Sequence, residues 1–113
     1  MRPIPPQLRK EMDADAYYHQ CARHEALRDH ECRPDPLTGK LIEWEHAIIF
    51  AGRQLNEKWA IVPICWLVHR GGYMVKEINE WLALRRAPKG RLKELSKAVD
   101  YEQKLRYLNQ KYA

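Results

Sequence analysis

At 113 residues the chain is long enough for one domain with a modest core, and short enough that a bound metal would help to hold it together. Its 20 Lys and Arg against 15 Asp and Glu leave a formal charge of +5, concentrated after Arg53, which suits a polyanionic partner such as nucleic acid. No stretch approaches the roughly 20 apolar residues of a membrane span, and the opening MRPIPPQLRK lacks the apolar segment of a secretory signal. The expected setting is therefore a reducing cytoplasm with no membrane partner, where the three cysteines serve as thiols or metal ligands rather than disulfides.

Pro3, Pro5 and Pro6 predict an extended start, with Pro6 suited to the first turn of a helix through QLRKEMDADAYYHQ that breaks near Asp13 to Asp15. Residues 21–40, CARHEALRDHECRPDPLTGK, carry two cysteines and two histidines ahead of Pro34, Pro36 and Gly39. A loop of this length calls for a cause, and a metal anchored on Cys21 and Cys32 would supply one.

Residues 41–46 alternate Leu41, Glu43 and Glu45 against Ile42, Trp44 and His46, the period of a strand. A regular strand aims Glu45 and His46 in opposite directions, so their joint use predicts a bend or a strand end at that point. AIIF then reads as an apolar turn, AGRQLNEKW as an exposed loop pivoting on Gly52, and residues 60–64, interrupted by Pro63, as an antiparallel edge strand. Cys65 is expected to open a helical turn that places His69, four residues on, over the same face.

The spacing of Met74, Val75, Ile78, Trp81 and Leu82 predicts a helix within residues 73–86, closed by Ala87, Pro88 and Gly90. The remaining stretch, RLKELSKAVDYEQKLRYLNQKY, predicts one long helix or two. Its stripe Tyr101, Leu105, Leu108 and Tyr112 reads as core packing, with a homodimer seam as the alternative. The four tryptophans read as core residues.

Hydrolysis of a phosphodiester needs a base to activate water and a cation to offset charge on the phosphorane oxygens and the leaving 3'-oxygen. His46 suits the first role, and Glu45 with His69 could hold one divalent ion for the second. Glu45 and His46 alone would read as a surface carboxylate beside a core-edge histidine; His69 at its place after Cys65, with the glycine loop between, favours the site. Arg53, Lys58 and Arg70 flank it and could grip phosphates without reading sequence.

The run WEHAIIFAGRQLNEKWAIVPIC, with the later His69, resembles the HNH endonuclease family, and small phage and prophage members in particular. The resemblance implies an α+β fold with a ββα-metal (His-Me finger) core over about residues 21–72 and a helical extension over 73–113, in a single nuclease domain. It further implies one-metal hydrolysis of DNA in a bacterial host cell, with His46 as general base and Glu45 and His69 as ligands of Mg2+ or a similar cation.

Two departures from the family pattern stand out. The Asn expected five residues before Cys65 is replaced by Ala60, leaving Asn56 either to orient His46 or to brace its own loop. The family's structural zinc would take Cys21, Cys32 and Cys65, but the usual fourth position is Val68; His30 is assigned in its place, with His24 as the other candidate. The alternative is that the three cysteines are simply small buried apolar residues. The competing function is a zinc-stabilised nucleic-acid-binding or protein-binding module with weak cleavage or none.

Overall fold

In the computed structural model, which describes residues 3–113, Pro6 opens helix α1 (Pro6–Asp13), where its missing N–H costs no helical hydrogen bond. The helix stops where expected, because the Asp15 side chain accepts from Tyr17 N at 3.0 Å and starts a separate 3-10 turn, Ala16–His19. The chain then enters α2 (Ala22–Leu27), which ends at Arg28 in the left-handed region, φ 50°. Residues 21–40 are thus not one long loop: their first third is helical and sets Cys21 at a helix N-terminus.

Strand β1 (Ile42–His46) leads into a tight hairpin of β2 (Ile49–Phe50) and β3 (Arg53–Gln54). This corrects the expected apolar turn and open loop, since Ala51 and Gly52, at φ 53° and 77°, both take the left-handed conformation of a two-residue hairpin turn. A 3-10 turn, Lys58–Ala60, delivers the chain to β4 (Ile61–Cys65), which pairs antiparallel with β1 from Ile42↔Cys65 to His46↔Ile61. Pro63 is accommodated opposite Trp44 because each strand of this two-stranded sheet is an edge.

Helix α3 (Trp66–His69) is a single turn directly after β4. A Cβ at Gly71 would lie 2.7 Å from Leu67 Cα, so only glycine lets the chain turn away there. The C-terminal third forms α4 (Lys76–Leu84), α5 (Lys89–Leu95) and α6 (Tyr101–Tyr112), the last capped by Asp100, which accepts from Gln103 N at 3.0 Å. The tail is therefore two helices, and Tyr101 and Leu108 of its stripe are buried with Leu105 and Tyr112 packed against the core.

Among the described residues, six α-helices and two small antiparallel sheets make the fold α+β. The main core joins β4 and α3 to α2, α4, α5 and α6 through Val62, Ile64, Val68, Ala22, Leu82, Leu92 and Leu108. Burying an aliphatic side chain of this size contributes roughly 1.5–3 kcal/mol, so the fully buried β4 is the pivot of the fold. A second, smaller cluster of Met12, Tyr18 and Ile61 docks α1 against the other face, with Ile4, Leu8 and Trp44 around it. Among the described residues no helix is long and apolar enough to cross a membrane.

Candidate functional site

Two clusters of chemically capable side chains flank the β1–β4 pair and meet at the helical turn that follows Cys65. In the first, Cys21 at the start of α2, Cys32, and Cys65 at the end of β4 surround one face of His30. His30 Nε2 lies 3.7 Å from the Cys21 sulfur, 3.7 Å from that of Cys32 and 3.4 Å from that of Cys65. A tetrahedral zinc with Zn–S near 2.3 Å and Zn–N near 2.0–2.1 Å separates its sulfur and nitrogen ligands by about 3.6 Å. The four ligand atoms, all within 4.8 Å of one another, could therefore hold one metal ion.

The surroundings of this cluster fit the same purpose. His30 Nδ1 donates to Asp29 Oδ1 at 2.8 Å, which leaves the Nε2 lone pair facing the sulfurs. Arg23 grips the other Asp29 oxygen through Nε at 3.0 Å and Nη2 at 2.8 Å. His24 is not among the clustered ligand atoms; its Nδ1 is bonded to the His30 carbonyl at 2.9 Å, bracing the loop that carries the fourth ligand.

Burial pushes the Cys21 thiol up, and burial together with its two thiol neighbours pushes Cys32 up. Burial also acts against the Cys65 thiolate, but the amides of Val68 and Arg33 and the His30 ring outweigh it and hold this thiol below its ordinary value.

The second cluster sits on the two faces of β1. Glu43 and Glu45, two residues apart, share one face and close on His69 from α3. His69 Nδ1 lies 3.0 Å from Glu43 Oε2, while its Nε2 contacts Glu45 Oε2 directly. The hydrogen bonds to Glu45 and then Glu43 raise the His69 pKa, against the opposing effect of burial. Arg70 reaches the second oxygen of Glu43 at 3.3 Å.

His46 points to the opposite face, where its Nε2 meets Asn56 Oδ1 at 2.5 Å; Asn56 Nδ2 in turn donates to the Pro3 carbonyl at 2.9 Å. Of the bend or strand end expected at Glu45 and His46, the structure has the second: β1 ends at His46 without a bend, its pairing regular through His46↔Ile61 and followed by Ala47 N bonded to Ala60 O at 2.9 Å. Strand alternation alone separates the two residues. A cleft of about 360 Å³ nevertheless runs along β1 and takes in side chains from both of its faces, Glu43, Trp44, His46, His69, Arg9 and Arg70 among them.

Cys65 and His69 do not share a face as helical spacing suggested. Cys65 is still in extended conformation, φ −76° and ψ 165°, and belongs to the thiol cluster, while His69 belongs to the carboxylate pair. Of the three cations proposed for phosphate, only Arg70 lines the cleft. Arg53 is exposed on β3, and Lys58 is bound to Asp15 at 2.9 Å and lies over the Tyr18 ring.

Sequence reasoning missed Glu43 as a partner of His69, although its spacing of two from Glu45 marks the same strand face. It also missed Pro3 and Arg9, which α1 brings in and which no local spacing could signal.

No family model, curated protein or solved structure matches this chain. What the fold and the site define is thus a small α+β protein with a Cys3His cluster able to hold a metal ion. Within that class, the chain is particular in carrying a histidine-carboxylate group and a second, amide-braced histidine on the two faces of one strand.

Proposed function

We propose that this protein is a metal-dependent endonuclease of the HNH type that hydrolyses DNA, with a zinc ion in the Cys3His cluster as a structural staple. The observation that carries the reading is one cleft along a two-stranded sheet and the helical turn after it, lined by His46 and His69, each of which is held from outside the cleft wall: His46 by Asn56 and His69 by Glu45. Asn56 is then the orienting amide that the family pattern places at Ala60, reaching His46 from four residues earlier in the loop.

Glu45 and His69 would hold one divalent cation, Mg2+ or similar, whose chemistry when bound is to offset negative charge on the phosphorane and the leaving 3'-oxygen. The donor types suit this, one carboxylate and one imidazole: a cation would take the place of the Nε2 proton that now joins His69 to Glu45, and Glu43 would hold the far ring nitrogen as an outer carboxylate does. His46 takes a proton from the attacking water. Because Nε2 donates to Asn56 Oδ1, the basic nitrogen is Nδ1. Arg70 sits at the cleft wall to contact a phosphate.

A second reading, a zinc-stapled binding module without cleavage, draws on a specific observation. Among the described residues the Cys3His cluster is the one group of three or more metal-ligating side chains within reach of a single ion. Nicking of plasmid DNA with added Mg2+ or Mn2+, run beside a gel shift in EDTA, separates the two: nicking supports the nuclease, and a shift without nicking in any divalent metal supports the module.

A further inference from the structure

The Asn56 side chain is placed by a residue 53 positions away in sequence. A backbone carbonyl can only accept, so the Pro3 oxygen obliges Asn56 to present its Nδ2 there and therefore its Oδ1 to His46. An amide oxygen can only accept in turn, which puts the ring proton of His46 on Nε2. The orientation of the histidine is thereby decided at the N-terminal segment.

That segment has its own anchorage. Met12 is fully buried against Tyr18 and Ile61, with Ile4 and Leu8 packed around them, apart from the main core. The same segment supplies Ile4, Arg9 and Asp13 to the wall of the cleft, with the Arg9 guanidinium 5.7 Å above the Trp44 ring.

We propose that residues 3–13 are a working part of the site: docked through Met12 and Leu8, they carry the Pro3 carbonyl that orients Asn56 and, through it, His46. Pro3 and Asn56 are positioning residues in this scheme, which rests on the reading of His46 as the general base.

The test compares the zinc-loaded full chain with two variants, one lacking residues 1–4 and one full-length Leu8→Asp chain in which the segment is undocked. Each is made with Asn56 and with Asn56→Ala, and zinc content and melting temperature are checked throughout. With Asn56 present, each change is expected to lower kcat for DNA cleavage roughly 10- to 100-fold, with KM and DNA affinity little altered. With Asn56→Ala the same changes are expected to have no further effect on kcat. Equal losses in both backgrounds would overturn the proposal.

The imidazole nitrogen NMR signals of His46 give a readout independent of cleavage. The full chain is expected to show the Nε2–H tautomer and both variants a mixture. If no form of the protein cuts DNA but the tautomer follows the segment, the nuclease reading fails and the positioning stands. A tautomer unchanged in both variants overturns the positioning whatever the activity.

Discussion

Cys65 and His69, four residues apart, serve two different clusters. Cys65 caps α3 from an extended backbone and turns its sulfur to His30 Nε2 at 3.4 Å, whereas His69, on the last turn of that helix, turns to Glu43 at 3.0 Å. One helical turn therefore couples the proposed staple to the proposed reaction site, and losing the first should loosen the second.

The staple gives the first prediction. Purified protein should contain one zinc per chain, and Cys65→Ser should lose it. Structural zinc in small domains is worth on the order of 10 kcal/mol of apparent binding energy near neutral pH, so the variant should unfold cooperatively only at much lower temperature, or not fold. Elemental analysis and calorimetry check this. A full zinc complement in Cys65→Ser would refute the assignment of the ligands.

Glu43 should matter through His69 and not through DNA. In Glu43→Gln the outer-shell carboxylate is gone, and a loss of this kind weakens metal affinity or activity by roughly 10- to 100-fold. A Mn2+ titration of nicking should move to higher concentration while the gel shift in EDTA stays put. An unchanged titration would leave Glu43 with no part in the site.

The β2–β3 turn stores strain at Ala51, whose φ of 53° a Cβ resists. Asn-Gly is the favoured pair for such a turn, so Ala51→Asn should raise stability by about 0.5–1 kcal/mol. Gly52→Ala should lower it by a similar amount through the backbone alone, since nothing lies within 4 Å of the added Cβ. Denaturant midpoints measured side by side decide both signs.

Glu57 provides a pH dependence. Its hydrogen bonds to Arg91, which also bonds Glu94, hold the Glu57 carboxyl below its ordinary value of 4.5. A depressed native pKa means that the contribution is present above the unfolded value and is lost as pH falls through the native one. The stability gap between the wild-type chain and Arg91→Met should therefore be full near neutrality and shrink on acidification below 4.5. A gap that widens on acidification would contradict the pair.

Much of this was legible in the residues because the signals were local. Period-two alternation announced β1, Pro6 and Asp15 bounded α1, and the thiols with His30 were few enough to group. The β2–β3 hairpin was hidden because its turn uses Ala51 where Asn would have announced it. The separation of Cys65 from His69 was hidden because Cys65 is a cap, and helical spacing begins only after it. Asn56 was legible as one of two readings, a partner of His46 or a brace of its own loop, and the structure has the first; Pro3 as its other partner arrives from the far end of the chain, which no spacing encodes.

The most direct measurement is relaxation of supercoiled plasmid by zinc-loaded protein and by its His46→Ala variant, in Mg2+, in Mn2+ and in EDTA. The account predicts nicking that needs a divalent cation and falls at least about 100-fold in the variant, as loss of a general base does, with zinc content and melting temperature retained. Undiminished cleavage by His46→Ala, or no nicking by the wild-type chain in either metal, would contradict it.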